Sequence, residues 1–315
     1  MVRTLFEEPA AGTLARTEAA TAPIRGPKPD PVRPMRSARA PPLPNGSALH
    51  YGDFVPELLC LRYSPWSEKA RWALAARSVS YTHRTYSPLL GEPALRLKLR
   101  RLSGPVSVPV LTDDDGRVYS DSSDIARWAD ARGEGPRLFP EGQDARIAEW
   151  VALSERGLSA GRGLSLRRLL TDDEGLFEMV PRKLRSLGGA ARAIAAFGVR
   201  RTLAKYGAAD RSNAELEGEL GQVLETLRGA LAKVQAEGDG GPWLLLGTFS
   251  FADVAMAQVL AFVSPPAFGL RMGKATRRTF TDPALLARFP DLVAWRDALY
   301  ERYRPRAPAD TNRSV

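Results

Sequence analysis

The stretch Glu57-Leu58-Leu59-Cys60-Leu61-Arg62-Tyr63, then Ser64-Pro65-Trp66-Ser67, then Glu68-Lys69-Ala70-Arg71-Trp72-Ala73-Leu74-Ala75-Ala76-Arg77-Ser78, decides how the chain is read. Leu58 to Leu61 is a short continuous apolar run, suited with Tyr63 to a strand buried on both faces, while Ala70, Ala73 and Leu74 recur at helical spacing. A strand therefore feeds directly into a helix. Ser64 fits the helix cap and Pro65 its first position, where a missing N–H is no loss and φ is already helical. A helix N-terminus with free amides also stabilises an anion, so Ser64 is either a cap alone or a cap that belongs to an anion site.

Working outward, Tyr81 to Tyr86 reads as a second strand and Pro93 to Leu102 as a basic helix or loop ending at Ser103-Gly104-Pro105. Val106-Ser107-Val108-Pro109-Val110-Leu111 reads as a strand interrupted by proline, followed by a turn at Asp113 to Gly116 and by Arg117-Val118-Tyr119. Proline inside a strand removes a ladder donor, and a cis Val108-Pro109 bond is one reason for it to be there. Asp121-Ser122-Ser123-Asp124-Ile125 then opens a helix with Ile125 and Trp128 on one face. Strand, helix, strand, then strand, strand, helix is the order of a thioredoxin-like α/β domain.

Gly133 to Gly142, with Pro136 and Pro140, reads as a linker, and from Gln143 onward the pattern is helical. Ile147, Trp150, Val151 and Ser154 share a face, Leu164 to Leu170 follows, and Glu215 to Gln235 carries Leu216, Leu220, Val223, Leu224, Leu227 and Leu231. Two last helices are expected at Ala284 to Arg288 and Asp291 to Tyr303. Pro181 to Ala209 has seven arginines and lysines and no acidic residue, with Ala193, Ile194, Phe197 and Leu203 as a partial apolar face that Gly188, Gly189 and Gly198 weaken. It is either a solvated basic face or a surface for an anionic partner or membrane.

Composition narrows the chemistry. One cysteine excludes an internal disulfide, and His50 and His83 stand at no metal-ligand spacing, so no metal is expected. Forty-five basic against 36 acidic residues give a net charge of +9, which favours anionic partners in general. Nucleic acid is not expected, because aromatic residues do not interleave with the basic run. No run reaches membrane-spanning length.

Three separated features, Ser64-Pro65-Trp66-Ser67 with the helix after it, Val108-Pro109-Val110-Leu111, and Asp121-Ser122 followed by Ile125, together resemble the N-terminal domain of cytosolic glutathione transferases. Leu244-Leu245-Leu246-Gly247-Thr248-Phe249-Ser250-Phe251-Ala252-Asp253-Val254 looks like a motif of that family's all-helical C-terminal domain. That motif also has its own physical reading, with Ser250 as cap, Asp253 as capping-box partner and Phe249 packing on Val254. The resemblance implies a thioredoxin-like domain over 54–132 and a helical domain over 143–305. It implies glutathione as co-substrate and a homodimer, while a cytoplasmic location is the default expectation because residues 1–53 lack the apolar centre of a secretory signal.

By the same resemblance Ser64 is the serine that donates a hydrogen bond to the glutathione thiolate. Val108, ahead of Pro109, would pair its backbone with glutathione. Asp121 and Ser122 would hold the γ-glutamyl group, the Asp121 carboxylate taking its ammonium. Tyr63 and Ser67 compete with Ser64 for the catalytic position, while Cys60 reads as a small buried hydrophobe. Trp66 either lines the electrophile pocket or packs between domains. The glycyl carboxylate has no evident basic partner, since Ser107 stands where some members have lysine, which leaves Arg100 or Arg101. The reaction implied is conjugation or reduction of a small hydrophobic electrophile; a non-catalytic module using the basic surface is the alternative.

Residues 1–53 are poor in large apolar side chains and proline-rich from Pro23 to Pro44, a composition expected to stay disordered, as are residues 306–315. Amide hydrogen exchange before Asp53 is expected near the unprotected limit, and broad protection there would show an ordered element instead.

Overall fold

The computed structural model describes residues 55–88, 90–180, 186, 188–237 and 244–306. The disorder expected before residue 54 and after residue 306 lies outside the described residues.

The first half contains β1 (Glu57–Cys60), α1 (Pro65–Ala76), β2 (Thr82–Thr85), α2 (Glu92–Leu99), β3 (Val110–Thr112), β4 (Val118–Tyr119) and α3 (Ser122–Arg132). The sheet runs β2-β1-β3-β4, with β1 parallel to β2 and the other pairs antiparallel. Alternation along β1 sends Leu58 and Cys60 to one face, where they meet Ala70 and Leu74 of α1 and Ile125, Trp128 and Ala129 of α3. Leu59 and Leu61 join Leu95 and Leu99 of α2 on the other. This is the expected thioredoxin-like arrangement, and Val108-Pro109 is cis. The ladder of β3 begins only at Val110, after the residue that has no N–H to give it.

The second half is helical: α4 (Asp144–Leu170), α5 (Asp173–Met179), α6 (Gly189–Lys205), α7 (Asn213–Glu237), α8 (Phe251–Val259) with a 3-10 turn at Leu260–Phe262, α9 (Lys274–Phe280), α10 (Pro283–Arg288) and α11 (Pro290–Tyr303). The two apolar stretches from Ile147 to Leu170 are one continuous helix. Two short helices, α5 and α9, have no counterpart in the sequence reading. In the basic segment, Gly188 takes a positive φ as cap and Gly189 is the first helical residue, so these glycines punctuate the helix instead of weakening it. Its apolar face differs from expectation. Ala191, Ala195, Ala196, Val199 and Leu203 are buried, whereas Ala193, Ile194 and Phe197 face solvent. Residues 181–185 of that segment lie outside the described residues.

Helix α8 is buried throughout, which explains its demanding start. The Asp253 carboxylate accepts from Ser250 N at 3.0 Å, Ser250 Oγ at 3.0 Å and Leu245 N at 2.9 Å. Burial still pushes its pKa up to about 6, against the pull of those donors. Phe249 and Val254 lie in the same core, with the Phe249 ring stacked on Tyr303 at 4.2 Å. Among the described residues no helix is long and apolar enough to cross a membrane.

Helix α4 crosses the bundle so closely that a Cβ on Gly157 would lie 2.7 Å from Val259 Cγ1, and one on Gly161 would lie 2.6 Å from Phe262 Cβ. Alanine at either place gains about 1 kcal/mol in helix propensity. Overpacking against a side-chain root that cannot swing away costs about 1–3 kcal/mol. Gly161→Ala is therefore expected to lower the unfolding free energy in urea by up to about 2 kcal/mol; a gain in stability would show that the crossing relaxes freely.

Candidate functional site

The sheet register brings the chosen residues to one end. Leu59 pairs with Val110, and continuing that register sets Val108 abreast of Leu61, where β1 turns toward Ser64. Leu111 pairs with Tyr119, which by the same step sets Asp121 abreast of Pro109. Ser64, Val108-Pro109 and Asp121-Ser122 thus meet where β1 ends, β3 begins and β4 leads into α3.

At the start of α1, Ser64 has extended φ and ψ and its Oγ accepts from Ser67 N at 3.4 Å. Pro65 has no N–H, so the Ser64 hydroxyl proton and the Trp66 amide have no partner among the described residues. Both are donors at a helix N-terminus. Ser67 is fully buried and its Oγ accepts from Leu61 N at 3.2 Å, which commits it to the turn. Burial holds the Tyr63 hydroxyl well above the ordinary tyrosine range, so it stays protonated. Cys60 is fully buried in the sheet, as a small hydrophobe would be.

At α3, Asp121 is the cap, its carboxylate accepting from Ser123 N at 2.7 Å, and the buried Ser122 has no hydrogen-bond partner for its hydroxyl among the described residues. Arg100 and Arg101 are exposed beyond α2 and make no hydrogen bond or ion pair with these groups among the described residues. A different cation reaches this edge. Lys205, at the end of α6, donates to Val106 O at 2.6 Å and lies 3.7 Å from Glu92.

The sequence reading missed the polar cluster facing α1 from the helical half. Lys69 is completely buried and donates to Ser154 Oγ at 2.8 Å and Glu155 Oε1 at 2.7 Å. Trp66 Nε1 donates to Glu155 Oε2 at 2.6 Å, so Trp66 packs between the halves while its ring borders the site. Burial lowers the Lys69 pKa, and Glu155 and then Asp121 pull it back up, which places Lys69 within electrostatic reach of the α3 cap. Above Trp66, the Arg162 guanidinium lies 4.6 Å from its ring and 3.7 Å from that of Tyr206. Helical spacing puts Glu155 and Arg162, seven residues apart, on one face of α4, but which face receives α1 follows only from the assembled fold.

Elsewhere, the carboxylates of Asp113, Asp114 and Asp115 lie within 4.8 Å of one another, but Arg132 pairs with all three. A surface hollow of about 720 Å³ between α5, α6 and α9 lies among carboxylates that already have partners, such as Asp173 with Arg192.

The sequence matches the family model for the glutathione S-transferase N-terminal domain over residues 63–132, and that for the C-terminal domain over residues 193–298. Among solved structures it is similar to glutathione transferase GSTFuA2 from Phanerochaete chrysosporium, at 20% identity and a TM-score of 0.55, over 80% of this chain and 99% of that one. GSTFuA3 from the same organism aligns at 16% identity and a TM-score of 0.51, over 80% of this chain and 98% of that one. These likenesses bear on the fold. No curated protein matches the sequence.

The Lys69–Glu155 pair yields a test with a sign. Glu155→Gln keeps an acceptor for Trp66 but removes the charge that raises the Lys69 pKa. That pKa then falls further below its unfolded value near ~10.4, and the folded chain holds fewer protons than the unfolded one over a wider range. The variant is expected to lose about 1–3 kcal/mol near pH 7, with the gap to wild type narrowing as pH rises toward 10. Urea unfolding at both pH values checks it, and a gap that widens with pH would refute the buried-ammonium account.

Proposed function

Because the chain belongs to the glutathione S-transferase family, we propose that it binds glutathione at this end of the sheet and activates its thiol toward a small hydrophobic electrophile, by conjugation or by reduction. The observation that carries this reading is the convergence, through one sheet register, of Ser64, Val108 and the Asp121-Ser122 helix start. In this reading Val108 pairs with the tripeptide backbone, the α3 terminus and Ser122 hydroxyl take the γ-glutamyl carboxylate, and the outer oxygen of Asp121 takes its ammonium. Lys205, which donates to Val106 O, serves the glycyl carboxylate better than the exposed Arg100 or Arg101.

Ser64 donates a hydrogen bond from its free hydroxyl to the thiolate, and the α1 terminus adds its dipole. A thiol with a pKa near ~8.5 becomes mostly ionised at neutral pH if these interactions lower it by about one to two units. In conjugation the thiolate sulfur forms a bond to the electrophilic carbon, the leaving group departs with its bonding electrons, and the thiol proton goes to solvent. With no cysteine at Ser64 or Ser67, a dithiol exchange mechanism is not part of the reading. A homodimer in the cytoplasm completes it.

A second reading, a non-catalytic interaction module, is favoured by the exposure of Phe197 and Ile194 beside Arg200 and Arg201 on α6. Calorimetric titration separates the two: the enzyme binds glutathione and the module does not. For the enzyme, Ser64→Ala should lower kcat for an aryl halide by roughly 10 to 100-fold, or about 1.4–2.7 kcal/mol, with a smaller change in glutathione affinity. Unchanged turnover in Ser64→Ala together with an inactive Tyr63→Phe would move the role to Tyr63.

A further inference from the structure

The guanidinium of Arg162 has an unusual set of neighbours. The other arginines buried near α1 have carbonyl or carboxylate acceptors: Arg71 donates to Arg62 O and Gly269 O and pairs with Glu68. Arg296 donates to Ser264 O and pairs with Asp297. Arg162 has neither a hydrogen bond nor an ion pair at its guanidinium among the described residues, only the rings of Trp66 and Tyr206. The rings favour the cation, but they offer no lone pair to its five N–H donors. Glu155, the carboxylate whose field reaches it, already spends one oxygen on Lys69 and the other on Trp66. Arg162 is half-buried, and that burial lowers its pKa while Tyr206 and Glu155 pull it back up. Lys69, Glu155 and Arg162 together carry a net charge of +1 around Trp66, two residues along from Ser64, and no carboxylate pairs with the Arg162 guanidinium among the described residues.

We propose that the electrophile taken by this site is an aromatic compound carrying an anionic group, with Arg162 receiving that group and Trp66 and Tyr206 flanking the ring. The proposal rests on the glutathione-transferase reading above and adds the charge class of the second substrate. A planar guanidinium matches a carboxylate through two parallel hydrogen bonds, and aromatic flanks suit an aryl body. With chlorodinitrobenzoate, the sulfur–carbon bond forms at the ring carbon bearing chlorine, chloride leaves with the electron pair of the broken bond, and the carboxylate is unchanged.

The test compares chlorodinitrobenzene with chlorodinitrobenzoate in the full-length protein at saturating glutathione. Wild type is expected to show the higher kcat/KM for the benzoate, expressed mainly in KM, and Arg162→Met should reduce the benzoate-to-benzene ratio at least ten-fold. Arg162→Lys, which keeps the charge without the flat fork, should retain part of the preference. A ratio that Arg162→Met leaves unchanged overturns the proposal, as does a loss of glutathione affinity in that variant with the ratio intact, which would assign Arg162 to glutathione. Should the variants not fold, or should neither halide react, the wild-type protein decides by Trp fluorescence titration with the two S-aryl glutathione conjugates. Binding of the carboxylated conjugate at least ten-fold tighter supports the proposal, and equal affinities overturn it. Absence of binding by glutathione and by both conjugates removes the glutathione reading itself, a result distinct from equal affinities.

Discussion

Helix α1 buries nearly all of its side chains from Pro65 to Leu74, charged ones included, and the structure around it answers to that constraint. Glu68 and Lys69 are completely buried and Arg71 nearly so, on a helix that also presents Ala70 and Leu74 to the sheet. An uncompensated charge in such a place costs several kcal/mol, so each must find a partner in the helical half. Glu68 takes Arg71 at 2.6 Å and Arg304 at 2.7 Å, Lys69 takes Ser154 and Glu155, and Trp72 Nε1 donates to Tyr303 O at 2.9 Å. These bonds tie α1 to α4 on one side and to the end of α11 on the other. The position of the Ser64 terminus is thereby fixed by the helical half as much as by the sheet.

The same contacts set the electrostatics of the site. A carboxylate on α4 is used twice, as counter-ion to Lys69 and as acceptor for Trp66, and so cannot also neutralise Arg162. The site end of the sheet therefore combines an acidic cap at Asp121 with a positive cluster on the α4 side. Zwitterionic glutathione and an anionic aryl electrophile are compatible with that division of charge.

Much of the architecture was legible because its signals are local. Ser64-Pro65 announces a helix start through cap chemistry, Val108-Pro109 announces a break in a ladder through a missing N–H, and Ser250 with Asp253 announces the buried helix α8 through a capping box. The periodic leucines of α7 gave that helix nearly to its bounds. What escaped was non-local. Nothing in the neighbourhood of Glu155 or Arg162 says that α1 will lie against them, since that follows only when the two halves are assembled. The apolar face of α6 was misplaced for a related reason. Its buried residues are mostly alanines, which weigh little in a hydrophobic pattern, whereas the larger Ile194 and Phe197 drew the reading to the wrong side.

Cys60 carries a consequence for how the protein lives with its proposed co-substrate. It is the only cysteine in the chain, and it lies fully buried in β1 with its side chain against α1 and α3. Mixed-disulfide formation needs an accessible thiolate, and complete burial opposes access. The folded protein thus offers no sulfur to oxidised glutathione, and its resting state is indifferent to the balance between the oxidised and reduced tripeptide. Oxidative stress would therefore leave the folded chain chemically unmarked at sulfur, apart from its methionines.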